Sequence, residues 1–117
     1  MRIWDVNPAR LCRQHLLGEH RELHGLWNIL VLGHRGYAAH PETRRWIGKL
    51  PALRARHEQL VAEMVRRGYT HRSPLDDARI TGATVQDVLL LTVEEQLSLL
   101  RAKPCACPLA SDDVART

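Results

Sequence analysis

Between Gln14 and Leu23 the chain concentrates titratable side chains within two helical turns: His15, Glu19, His20, Arg21 and Glu22. On a helix of 3.6 residues per turn, His15, Glu19, Glu22 and Leu26 fall on one stripe, and Gln14, Gly18, Arg21 and Gly25 on the next. A carboxylate at Glu22 therefore stands beside a guanidinium at Arg21. A carboxylate can stabilise a developing cation and move protons, and a guanidinium can hold a phosphate. The same spacing also suits a solvated face laced with i,i+4 charges, worth about 0.2–0.5 kcal/mol per pair. Both readings stand at this level.

The elements that position these residues follow from caps and periodicity. Asn7-Pro8 reads as a helix start, with Asn as N-cap and Pro where no donor is missed. From there to about Leu32, Leu11, His15, Leu16, Leu23, Leu26, Trp27, Leu30 and Val31 recur at three- and four-residue spacings. Gly18 and Gly25 interrupt that helix with small residues, where it should kink or admit a second backbone. Gly33 to Pro41 reads as a loop, and Pro41-Glu42-Thr43 opens a short helical turn carrying Arg44, Arg45 and Trp46. Pro51 opens a second long helix with an apolar stripe of Leu53, His57, Leu60, Val61, Met64 and Val65, ending at Gly68. Residues 69–80 are turn-rich, and Thr84 to Leu91 fits either strand or helix. Thr92-Val93-Glu94-Glu95 is a capping box for a third helix running to about Ala102. The expectation is an all-α, compact single domain over 1–103, built of three main helices with long irregular connections, and an irregular tail over 104–117.

Composition narrows the partners. The chain has 117 residues, enough for one domain, with 44% hydrophobic and 26% charged residues, values that exclude a disordered or collagen-like chain. Of 17 basic residues only Lys49 and Lys103 are lysine. Residues 1–72 carry 13 basic and 6 acidic side chains (+7), whereas 73–117 carry 4 and 7 (−3), so a polyanion-facing surface belongs to the first two thirds. An arginine-favouring codon usage explains the arginine excess equally well. Phenylalanine is absent, with 3 Trp and 2 Tyr, which argues against an aromatic single-strand platform. No apolar run approaches the roughly 20 residues of a membrane span, and the first residues lack a signal-peptide core, so a cytoplasmic protein without a membrane partner is expected.

The odd number of cysteines, Cys12, Cys105 and Cys107, suits reduced thiols rather than a disulfide framework. Cys105-x-Cys107 with Cys12 and the seven histidines offers metal-ligand types, but the gap is shorter than the usual ligand spacing. His20, His24, His34, His40, His57 and His71 form no recognised ligand pattern either. Each reads as a surface or satisfied half-buried histidine, and neither a metal nor another cofactor is expected.

Two ordered blocks carry a family resemblance. Met1-Arg2-Ile3, then Gln14-His15-Leu16, Glu19 and Arg21-Glu22-Leu23, resemble the N-terminal pattern of the pyrimidine-dimer DNA glycosylases, the phage-type endonuclease V enzymes. Leu53-Arg54, Arg56, Leu60-Val61-Ala62-Glu63 and Arg66-Arg67-Gly68-Tyr69 are similar to that family's second long helix and its exit. The two blocks cover roughly the first 70 residues. The resemblance implies an all-α repair enzyme that cleaves the glycosidic bond at a UV-induced dimer in duplex DNA and then nicks the backbone. It implies a catalytic glutamate at Glu22, phosphate or pocket contacts at Arg2 and Arg21, and a polar pair at Gln14 and His15.

The nucleophile that the resemblance implies is an N-terminal α-amine, on a threonine exposed by removal of Met. Here Met1 stands in that place, and Arg2 is too large for efficient methionine removal, so the α-amine of Met1 occupies the position. With a pKa near about 7.7–8.0, roughly a tenth or more of such an amine is unprotonated at neutral pH, against under about a thousandth of a lysine at about 10.4. Gly25 stands where the family has a further DNA-binding arginine, and Arg13, Arg44 or Arg45 could replace it, or could form a solvated basic face. A monomer acting on damaged double-stranded DNA is the expected form. The alternatives are a non-catalytic helical DNA-binding module on the same scaffold and a thiol or metal protein using its cysteines and histidines.

Overall fold

The computed structural model describes residues 2–33, 39–71, 74–75 and 81–103. Among them the order is a 3-10 turn at Pro8–Arg10, then α1 (Arg13–Leu32), α2 (Pro41–Arg45), α3 (Leu50–Arg66) and α4 (Val93–Arg101). The fold is an all-α single domain whose three main helices are α1, α3 and α4. The tail over 104–117 lies outside the described residues.

The first expected helix breaks in two, at Leu11 rather than at the glycines. Asn7 caps the 3-10 turn, its Oδ1 accepting from the Ala9 amide at 2.9 Å. Leu11 then turns extended (φ −88°, ψ 138°), and Cys12 caps α1 from its backbone. The reason lies just past α3: the Arg67 guanidinium donates to the carbonyls of Pro8 (3.2 Å) and Leu11 (2.6 Å), the latter an oxygen that a continuing helix would have used itself. The break also lets the Leu11 side chain enter the core, where it is fully buried.

Helix α1 runs through Gly18 and Gly25 without interruption. A Cβ at either would meet nothing within 4 Å, so neither glycine serves close backbone approach. Each interior glycine costs about 1 kcal/mol relative to alanine, and burial of Leu16, Leu23, Leu26 and Trp27 against α3 outweighs that. From α3 the core receives Ala52, Leu53, Leu60 and Met64, and from α4 Leu97 and Leu100. Val65, expected on the apolar stripe, is instead 57% exposed. Gly68 lies just beyond α3 with φ 88°, as a C-terminal stop requires.

The extended N-terminal segment completes the core with Ile3, Trp4 and Val6, all buried. Its backbone is anchored at three points: the Ile3 amide donates to Glu42 Oε1 (3.3 Å), the Ile3 carbonyl accepts from Arg45 (2.9 Å), and the Asp5 amide donates to Gln96 Oε1 (2.8 Å). Residues 84–91 are neither strand nor helix. Polar side chains hold them: the Gln86 amide donates to the Arg45 carbonyl (2.7 Å), and the Val88 carbonyl accepts from Arg45 (2.9 Å). This leaves Val85, Val88, Leu89 and Leu90 exposed. The capping box at Thr92 forms as expected, with the Glu95 amide on Thr92 Oγ1 (3.1 Å) and the Thr92 amide on Glu95 Oε1 (3.0 Å).

Candidate active site

Both polar stripes of α1 open on one cavity of about 780 Å³. Gln14, His15, Gly18, Arg21 and Glu22 form its helical wall, and Arg2 and Trp4 enter from the N-terminal segment. His40, just before α2, and Leu99 and Lys103, from α4 and its exit, close the far side. Five residues singled out by sequence thus converge: Arg2, Gln14, His15, Arg21 and Glu22. The cavity wall carries three cations, Arg2, Arg21 and Lys103, beside the Glu22 carboxylate. The Arg2 guanidinium lies 5.0 Å from the centroid of the Trp4 ring, which gives this exposed side chain a platform.

Glu19, which also lines the cavity, is 2% exposed and forked onto Arg56 of α3. Burial pushes its carboxyl above the ordinary carboxylate range, against the opposing pull of the Arg56 charge and hydrogen bonds. Burial, reinforced by the Lys103 charge, lowers the His15 pKa, so at neutral pH His15 presents a neutral ring. Its Nδ1 contacts Cys12 Sγ at 3.2 Å. His40 is fixed by its own cap, its Nδ1 accepting from the Glu42 amide at 3.0 Å. Sequence reasoning missed Trp4, His40, Leu99 and Lys103 as wall residues. Only Lys103 carried a signal, as one of two lysines.

The remaining expected contacts divide. Arg13 is exposed on α1, its guanidinium 5.9 Å from the Tyr69 ring centroid, and Arg44 is exposed on α2. Arg45 is not on the surface at all. Its side chain is 3% exposed and grips both Asp5 oxygens (3.2 and 3.0 Å), Glu42 Oε1 (2.8 Å) and the carbonyls of Ile3 and Val88. Its donors are used inside the fold, so it organises the N-terminal segment rather than meeting DNA. Met1, His34, Cys105 and Cys107 lie outside the described residues.

A second cluster stands apart from this cavity. His20 and His24 of α1, the buried His57 of α3 and His71 beyond α3 bring their ring nitrogens within 4.8 Å of one another. The expectation of separate surface or half-buried histidines does not hold for these four. Each comes from a spacing that is unremarkable in sequence, and packing of α1 on α3 assembles them.

By fold and site the chain is a small helical domain whose arginine-lined cavity holds a carboxylate of its first long helix. The family model described as pyrimidine dimer DNA glycosylase matches residues 1–77. This chain belongs to the pyrimidine dimer DNA glycosylase family, a family of DNA repair glycosylases. No curated protein and no solved structure matches the chain. Among the described residues no helix is long and apolar enough to cross a membrane.

Proposed function

We propose that the protein is a DNA glycosylase with AP lyase activity, acting as a monomer on UV-induced pyrimidine dimers in duplex DNA, with the α-amine of Met1 as nucleophile. The amine nitrogen bonds to the sugar C1′ as the glycosidic C1′–N bond breaks, and the displaced pyrimidine, still joined to its neighbour through the dimer, takes a proton. Ring opening leaves a Schiff base, whose cationic nitrogen acidifies the C2′ hydrogen. Loss of that proton expels the 3′ phosphate, which is the backbone nick. Glu22 stabilises the cationic sugar and carries the protons. Arg2 and Arg21 hold phosphates flanking the lesion, Gln14 and His15 bond polar groups beside it, and Arg13 and Arg44 extend the contact along the duplex. Because C1′ is shielded inside a stacked duplex, the damaged site is extruded or opened toward the cavity.

The observation that carries this reading is the convergence of Arg2, Gln14, His15, Arg21 and Glu22 on a single cavity. The anchoring of Ile3 by Glu42 and Arg45 supports it, because its neighbour Arg2 lines that same wall.

Borohydride should trap a covalent adduct on UV-irradiated or abasic duplex. Reductive dimethylation confined to the α-amine leaves a tertiary amine that cannot form the Schiff base and should abolish lyase turnover, with intact-mass analysis reporting the N-terminal residue. Glu22→Gln should slow turnover at least about 100-fold with DNA binding retained. Salt-sensitive binding without trapping would mark a non-catalytic DNA-binding module. Trapping that survives conversion of the α-amine to the tertiary dimethylamine would remove Met1 from its role.

A further inference from the structure

We propose that His20, His24, His57 and His71 form a closed, tetrahedral site for one divalent transition cation of the zinc type. The site is separate from the arginine-lined cavity and independent of the glycosylase reading.

Three observations support it. The first is distance: Nε2 of His20 lies 3.1 Å from Nε2 of His71, and Nε2 of His57 lies 3.2 Å from Nε2 of His24. A tetrahedral zinc with bonds of about 2.0–2.1 Å needs nitrogens about 3.3–3.4 Å apart. The other separations, none above 4.8 Å, need only a contraction on the scale of side-chain rotation.

The second is the scaffold. His20 and His24 are one helical turn apart on α1, and the other two ligands come from α3 and the chain beyond it, so a cation here would pin three segments together. The third is orientation. His57 Nδ1 lies 3.0 Å from Glu58 Oε1; a carboxylate accepts, so the proton is on Nδ1 and the Nε2 lone pair faces the other rings. Four protein ligands leave no open position, which makes the site structural rather than catalytic.

The alternative is two hydrogen-bonded histidine pairs with no cation, and cobalt substitution separates the two. Protein without a histidine tag, stripped with chelator, should take up one equivalent of Co(II) with the intense visible bands of tetrahedral cobalt. One equivalent of Zn(II) should bleach them, and either metal should raise Tm. Glu58→Gln, on an exposed side chain, should weaken binding about tenfold. The double variant His20→Gln, His71→Gln should lose the bands, whereas Glu22→Gln should bind as wild type. A weak octahedral spectrum, no Tm shift, bands surviving the double variant, or a thiolate-to-cobalt charge-transfer band would each overturn the proposal. If the double variant does not fold, the wild-type spectrum and the Glu58→Gln affinity decide.

Discussion

Glu19 on α1 and Arg56 on α3 form a buried two-point fork, with Nε to Oε2 at 2.7 Å and Nη2 to Oε1 at 3.0 Å. Arg56 also donates to the Val6 carbonyl at 2.9 Å, so one guanidinium joins both long helices and the N-terminal segment. Because Glu19 lies one turn before Glu22, this fork sets how α1 presents its polar stripes to the cavity. Arg56→Met strands a buried carboxylate and should lower stability by about 3–5 kcal/mol. The double variant Glu19→Met, Arg56→Met should recover most of that, since burial already opposes ionisation of Glu19. Urea denaturation of both variants checks this, and a loss below about 1 kcal/mol for Arg56→Met would show that the fork does not bind the helices.

Adjacent arginines on α2 should behave in opposite ways. Arg45→Met leaves the Asp5 and Glu42 carboxylates facing one another without their cation, and the predicted loss is about 3–5 kcal/mol. Arg44 is exposed, so Arg44→Ala should change stability by no more than about 0.5 kcal/mol. If Arg44 meets a phosphate, its removal should weaken binding alike across sequences and reduce the log–log salt slope by about 0.9. Denaturation together with fluorescence anisotropy on a duplex over a salt series measures both. An Arg44→Ala variant with an unaltered salt slope would remove that contact.

What could be read from the sequence was local. Asn7, Pro41, Gly68 and Thr92 act within one or two turns of themselves, and each cap or stop falls where its chemistry dictates. The cavity wall on α1 was legible for the same reason, because 3.6-residue periodicity alone places Gln14, Arg21 and Glu22 together. Long-range partners were not legible. Nothing near Leu11 announces that Arg67 will take its carbonyl from 56 positions away. Arg44 and Arg45 are the same residue type in sequence, and distant partners such as Asp5, 40 positions earlier, and the Val88 carbonyl, 43 positions later, make Arg45 a buried hub and leave Arg44 an exposed cation. The histidine cluster was hidden similarly, since His20 and His71 meet across 51 positions. Residues 84–91 fit a strand or a helix by pattern, whereas hydrogen bonds to and from Gln86 and Arg45 hold them in neither.

Gly82 and Gly25 give a test of opposite sign. Gly82 has φ 121°, and a Cβ there would lie 2.2 Å from the Gly48 carbonyl oxygen, a backbone atom with no flexible end to move aside. The bridge it permits carries the Ala83 amide to Gly48 O (2.9 Å) and the Ala83 carbonyl to the Ala52 amide (3.2 Å), one of the donors orphaned at the start of α3. Gly82→Ala should therefore cost more than about 1 kcal/mol. Gly25→Ala meets open space inside a helix and should stabilise by up to about 1 kcal/mol. Thermal unfolding of the two variants should move Tm in opposite directions. A stabilised Gly82→Ala would mean that the bridge contributes nothing.

Acid should loosen the junction between α3 and the 3-10 turn through Glu63. Burial alone would raise the Glu63 carboxyl, but hydrogen bonds and charge from Arg66 and Arg67 together hold it below the ordinary carboxylate range. A carboxylate whose folded pKa is depressed binds fewer protons folded than unfolded. Its contribution is therefore present above the unfolded value, near about 4.3, and is lost as pH falls through the lower folded value. Arg67 Nε donates to Glu63 at 2.6 Å, while its Nη2 holds the Pro8 and Leu11 carbonyls, so protonating Glu63 removes the charge that orients this clamp. Glu63→Gln should be less stable than wild type at pH 7, and the difference should shrink as pH falls below about 4.3. Denaturation midpoints at pH 7, 5, 4 and 3 test the sign. A difference that stays constant across that range would assign the stabilisation to packing of the Glu63 side chain rather than to its charge.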